Sequence, residues 1–191
     1  MTASVRRRLP PAERREEILA AATELIAVSG FNGVSLGEFA AACGMTKAGL
    51  LHHFPSKEHV LVGVLERRDE LDVAAVMGDA DPAPDAETAR AALTRLVHRN
   101  LGQQSVVKLY TVLSAEALDP AHPAHDYFRR RLRTSRDRLE RQLFAWHPRP
   151  GEAAVELLAF LDGLQLNWLR DPEIDFEAHW ESFADRFFAQ D

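Results

Sequence analysis

The chain has 191 residues, 46% of them hydrophobic, with a formal net charge of −6; that suits one medium core, or a small domain beside a larger one. No apolar run approaches the roughly 18–20 residues that cross a bilayer, and the basic start MTASVRRRLPPAERREE lacks the apolar stretch of a secretory signal. A single cysteine excludes an internal disulfide framework and fits a reducing cytoplasm.

The charge is unevenly spread, and its distribution matters more than its sum. Residues 1–60 hold seven Lys or Arg against six Asp or Glu, so the acidity sits in the remainder. An acidic body discourages non-specific coating of DNA, while a less acidic head can still meet phosphate.

Proline and glycine divide the chain into helical segments with no strand pattern, which predicts an all-α fold. Arg6, Arg7 and Arg8 form a short basic arm that either drops into a minor groove or stays solvated. The first helix runs from about Pro11 to Val28, with Ile18, Leu19, Ala22, Leu25 and Ile26 on one face and Ser29-Gly30 closing it. Residues 35–58, SLGEFAAACGMTKAGLLHHFPSKE, then read as two short helices joined by a tight turn. Ser35 and Glu38 have the spacing of a capping box. Phe39, Ala40 and Cys43 make an apolar face, where Cys43 serves as a small buried hydrophobe. Gly44 ends the first helix at a position that needs positive φ, Met45 plugs the turn, and Thr46 caps the second helix. That second helix, about 46–52, is short, basic and hydroxyl-bearing around a Leu50 anchor, as a reader of the major groove must be.

A long helix from Pro55-Ser56 to about Met77 follows, its apolar stripe interrupted by Arg68, and Gly78 with DPAPD at 81–85 makes an acidic linker. Helices are predicted over about 86–101 and 105–118. An arginine-rich one follows DPAHPAHDYF and ends near Trp146, with Arg129, Arg130, Arg131, Arg133, Arg136, Arg138 and Arg141 on a solvated face, pairing with acids such as Asp137 and Glu140. Residues 152–170 are apolar on two sides, and 175–190 form a closing helix with the stripe Phe176, Trp180, Phe183 and Phe187. Two such helices, paired with their symmetry mates, would build a four-helix dimer interface. Its expected residues are Leu158, Leu161, Leu166, Trp168, Leu169, Trp180, Phe183 and Phe187.

With its helix-turn-helix followed at once by F-P-S-K-E and a long helix, the N-terminal third resembles the TetR family of transcriptional regulators. The residues that carry the resemblance are Gly30-Phe31, the frame Ser35/Phe39-Ala40/Gly44-Met45, and the tract from Thr46 to Glu58. The segments SAEALDPAHPAHDYF and LDGLQLNWL look like those of actinobacterial members. The resemblance implies a helical homodimer whose heads enter successive major grooves of a palindromic operator. It also implies a C-terminal body whose small-molecule effector usually releases the DNA. It divides the chain into a DNA-binding domain, 1–56, and an effector-binding and dimerisation domain, 57–191. It departs from the family at Leu51, where a tyrosine that touches phosphate is common, so part of that clamp falls to His52, His53 or Lys57.

The expected DNA-binding residues are Ser35, Thr46, Lys47, Ala48, Gly49, Leu51, His52, His53 and Lys57. Thr46, Lys47 and Gly49 lie where helix N–H groups attract phosphate. Lys47 can donate to guanine or to phosphate, and the sequence leaves both open. Ala48 can pack on a thymine methyl. Effector candidates are polar or aromatic groups among apolar helical faces: His98, Tyr110, Glu116, Phe128, Trp146, Gln165 and Trp168. A rival reading takes His122, His125 and Asp126, at i, i+3, i+4, as metal ligands. No Gly-rich phosphate loop, H-E-x-x-H pair or G-x-S-x-G elbow is present, so neither an enzyme nor a cofactor is expected.

Overall fold

The computed structural model describes residues 10–77 and 85–189. The Arg6–Arg8 arm, most of the acidic linker and Gln190 lie outside them. All regular structure among the described residues is helical: α1 (Pro11–Ser29), α2 (Leu36–Ala42), α3 (Lys47–His53), α4 (Lys57–Met77), α5 (Ala86–Leu101), α6 (Gln104–Glu116), α7 (His125–Arg138), α8 (Pro150–Arg170) and α9 (Phe176–Phe188). The chain divides into two compact units, Met1–Arg67 and Arg68–Asp191. It is an N-terminal helix-turn-helix head with a larger helical body.

In the head, Pro11 opens α1 where its missing N–H costs nothing. Ile18, Leu19, Ala22 and Ile26 bury one side of α1. Phe39, Leu50, Phe54 and Val60 are likewise almost fully buried. Gly63 is the point of closest approach, since a Cβ there would stand 2.9 Å from both Leu19 Cδ2 and Phe54 Cε1. The Arg15 guanidinium lies over the Phe54 ring at 4.2 Å, closing the side of this core.

In the body, α5, α8 and α9 enclose a core that includes Leu93, Val97, Leu157, Leu161, Phe176 and Trp180, with Phe144 packed among them. Trp180 is wholly buried and its indole N–H donates to Thr94 Oγ1 at 2.9 Å, so the polar end of this ring is satisfied. Phe160 stacks on Phe183 with centroids 3.8 Å apart.

Two expectations about the body change. The arginine-rich helix does not run evenly to Trp146: it ends at Arg138 and passes into one π turn, Leu139–Leu143, closed by Phe144 N–H to Leu139 O at 2.7 Å. The wider turn delivers Leu143 and Phe144 into the core while Arg141 and Gln142 stay outside. The closing stripe also faces inward. Trp180, Phe183 and Phe187, expected at a dimer interface, are already buried within their own protomer, as is Leu161. The cause is α5, whose Ala89, Ala92 and Leu93 form the same core as α9.

Candidate nucleic-acid interface

The turn between α2 and α3 is fixed from both ends by short-range bonds. Ser35 Oγ accepts the Glu38 N–H at 3.2 Å, and Glu38 Oε2 accepts the Ser35 N–H at 2.7 Å, so the capping box is complete. Hydrogen bonding to Ser35, through side chain and then backbone, holds the Glu38 carboxyl below its ordinary pKa. At the other end Gly44 adopts φ +58°, the Met45 N–H donates to Ala40 O and the Gly44 N–H to Ala41 O, both at 2.8 Å. That pair of bonds is a Schellman closure. Thr46 Oγ1 then accepts the Gly49 N–H at 3.1 Å and starts α3.

α3 is anchored by Leu50, which is completely buried, and by Phe54 just after its end. With that side fixed, Thr46, Lys47, Ala48 and His52 are left exposed, and Gly49, Leu51 and His53 half-exposed. Ser35 is exposed at the start of α2. The Lys57 ammonium rests over the Phe31 ring at 4.4 Å, which holds the charged end of its side chain without neutralising it. Cys43 is buried, and burial pushes its thiol pKa up, as expected of a packing residue rather than a reactive one. Small, cationic, hydroxyl and imidazole groups thus share one solvent-facing surface backed by a rigid apolar wall.

Residues 18–64 match the family described as bacterial regulatory proteins, tetR family, a span that covers the helix-turn-helix and its flanking helices. This chain carries a TetR-family helix-turn-helix head. Among relatives of this TetR-family head is the HTH-type transcriptional regulator RutR of Escherichia coli strain K12, 38% identical over 60 residues. That match takes in 31% of this chain and 27% of RutR, so it speaks for the head alone. A transcriptional regulator from Rhodococcus sp. Rha1 superposes with a TM-score of 0.75 over 91% of this chain and 93% of its own. At 23% identity this is a likeness of fold. The crystal structure of AibR in complex with isovaleryl coenzyme A and operator DNA is 26% identical, with a TM-score of 0.64 over 92% of this chain and 98% of AibR.

In the body the effector candidates do not form one group. Tyr110 and Phe128 do meet, with ring centroids 6.0 Å apart. Tyr127 joins them, edge-on to Phe128 at 5.1 Å and with its hydroxyl 3.3 Å from that of Tyr110. Trp146 instead packs on Phe144 and Phe188 and donates to Leu143 O, while Trp168 packs on Phe176. His98 is exposed and bonded to Glu177 at 3.0 Å. Glu116 is exposed, 3.8 Å from His122, and Gln165 is half-buried on α8.

The metal reading fails on geometry. His125 Nδ1 is engaged by Ala117 O at 2.8 Å, His122 Nδ1 accepts the Ala124 N–H at 3.2 Å, and Asp126 is exposed. Among the described residues no three potential ligands converge.

Two residues matter that the sequence reading placed elsewhere. Arg68, read as an interruption of an apolar stripe, is 8% exposed and satisfies its charge within the body. Its Nε donates to Asp72 at 2.8 Å, Nη2 to Asn100 Oδ1 at 2.6 Å, and Nη1 to Gln103 Oε1. Asp72 also accepts from Arg99 at 3.0 Å. Arg131, read with the solvated arginines, turns inward to Asp69 at 2.7 Å. The available signals were an arginine centred in the α4 stripe and the i, i+4 pair Tyr127–Arg131.

Proposed function

We propose that this chain is a ligand-responsive DNA-binding transcriptional regulator, a repressor in its simplest form. It binds a palindromic operator as a homodimer and is released by a small-molecule effector. Residues 1–56 act as the DNA-binding domain and 57–191 as the effector-binding and dimerisation domain. The observation that carries the reading is the division of α3, with Leu50 sealed beneath and Thr46, Lys47, Ala48 and His52 outward.

In this reading Lys47 and His52 donate to base edges or phosphate, Ala48 meets a thymine methyl, and Gly49 allows close approach to the groove. Ser35, Thr46, His53 and Lys57 contact the backbone, and Leu51 replaces a polar contact with an apolar one. Two copies present α3 about one helical turn apart, roughly 34–36 Å, in successive major grooves. An effector that prefers another spacing of the heads shifts the population off DNA by its difference in affinity and no more. The AibR structure, which holds isovaleryl coenzyme A and operator DNA, supports reading this fold as one with both a small-molecule site and a DNA-binding head.

The surface proposed for the second copy is the outer side of α8. Val155 and Leu166 are exposed there, and Leu158, Trp168 and Leu169 half-buried. An open groove of about 410 Å³ lined by Ala159, Phe160, Gly163, Leu164, Asn167, Ile174 and His179 runs beside them. A Cβ at Gly163 would meet nothing within 4 Å, which leaves room for a neighbouring helix.

A mobility shift on the DNA flanking the chain's own gene tests the reading. A regulator gives a discrete band that fades with salt as counterions compete for phosphate. The absence of any discrete complex at low salt refutes it.

A further inference from the structure

Arg131 is held firmly although, among the described residues, only one of its five N–H donors is used. Its Nε donates to Asp69 Oδ1 at 2.7 Å, and its guanidinium carbon lies 5.3 Å from the centre of the Tyr110 ring. Asp69 is fixed in turn, because its Oδ2 accepts the Tyr127 hydroxyl. These contacts use Nε and back the guanidinium with an aromatic ring. Among the described residues, no acceptor is bonded to Nη1 or Nη2. The side chain keeps 34% of its surface open to water.

Desolvation raises the carboxyl pKa of Asp162 on α8, and the Arg131 charge opposes it. The aromatic ring of Phe128 is half-buried against Tyr110 and Tyr127. Together these residues offer one two-pronged cationic edge with aromatic surface beside it, and a carboxyl group that feels its charge.

We propose that the free edge of Arg131 is an effector-binding fork for a carboxylate carried on an apolar body, with Phe128 and Tyr110 taking the apolar part. This rests on reading the body as the effector domain. A planar carboxylate matches the two parallel N–H vectors of a guanidinium edge, and such bidentate pairs are the strong ones. A dianionic phosphate brings twice the repulsion from Asp69 and Asp162, so the monoanion is the better fit. Asp69 lies on α4, so the ligand acts on the same pair that ties α4 to α7.

Calorimetry on the full-length, DNA-free protein tests this with hexanoate, decanoate and phenylacetate, their uncharged amides, and inorganic phosphate. At least one carboxylate is expected to bind with a sub-millimolar Kd, and its amide about tenfold or more weaker. Arg131→Lys keeps the charge but not the fork, and is expected to weaken that carboxylate by about tenfold. Arg131→Met should do at least as much, with circular dichroism checking its fold; if it unfolds, the lysine variant decides. The proposal is overturned if no carboxylate binds below a millimolar, or if the amide binds as tightly. It is equally overturned if Arg131→Lys binds like wild type, or if phosphate outcompetes every carboxylate. Because no DNA is present, a wild type that binds carboxylate but shifts no operator counts against the regulatory reading and leaves this site standing.

Discussion

Gly44 sets the angle at which α3 leaves α2, and its substitution should cost a calculable amount. At φ +58° an L-residue suffers a contact between Cβ and the following carbonyl worth about 1–2 kcal/mol. Alanine recovers a few tenths of a kcal/mol or more by restricting the unfolded chain, so Gly44→Ala should lose about 1 kcal/mol net. Asparagine tolerates the left-handed region better and should lose less. Valine should lose more, because its branched side chain is a severe outlier there. If the backbone relaxes instead, the Met45–Ala40 and Gly44–Ala41 bonds are given up, at about 1 kcal/mol each. Urea unfolding followed by circular dichroism measures the loss. All three tryptophans, Trp146, Trp168 and Trp180, lie in the body, so their fluorescence gives an internal comparison for the head. The order Gly, Asn, Ala, Val in falling stability supports the argument. A Gly44→Ala variant as stable as wild type, or an asparagine variant worse than alanine, refutes it.

Asn100→Ala removes an acceptor from the buried Arg68 guanidinium and should destabilise the body by about 1–3 kcal/mol; a loss below about 0.5 kcal/mol in tryptophan-detected unfolding contradicts that account. Glu38 has a folded pKa below its reference of 4.5. Its contribution is therefore complete above the unfolded value and lost as pH falls through the folded one. The stability difference between wild type and Glu38→Gln should narrow in acid, and a pH-independent difference counts against the capping carboxylate. Leu166→Glu places a charge on the outer side of α8, where Leu166 is 37% exposed. Sedimentation should show self-association at least about tenfold weaker with little change in unfolding, since exposed substitutions usually stay within ~0.5 kcal/mol; unchanged self-association removes this face from the interface.

The head was legible because its signals are local. Ser35-x-x-Glu38, Gly44 and Thr46 each act on neighbours within a few residues, and each does what its spacing requires. The helices of the body were legible from periodicity, but which way a face turned was not. Trp180 and Phe183 read as part of a stripe for a second copy, whereas they pack into the same core as α5. Arg68 and Arg131 were misread for the same reason: their partners Asn100, Gln103 and Asp69 lie tens of residues away, and the local signals, a charge inside the α4 stripe and the Tyr127–Arg131 spacing, do not name them. The π turn at Leu139–Leu143 follows from the demand to bury Leu143 and Phe144, a tertiary requirement invisible to helical spacing.

Hydroxyl-radical footprinting of the DNA flanking the gene, with wild type and Lys47→Ala side by side, tests most directly whether α3 is a probe offered twice. Two protected patches, related by dyad symmetry and centred about one helical turn apart, are predicted for wild type. Lys47→Ala should weaken both equally, by more than about 1 kcal/mol if Lys47 reads a base. A single unpaired patch, or footprints unchanged by the substitution, would contradict the account.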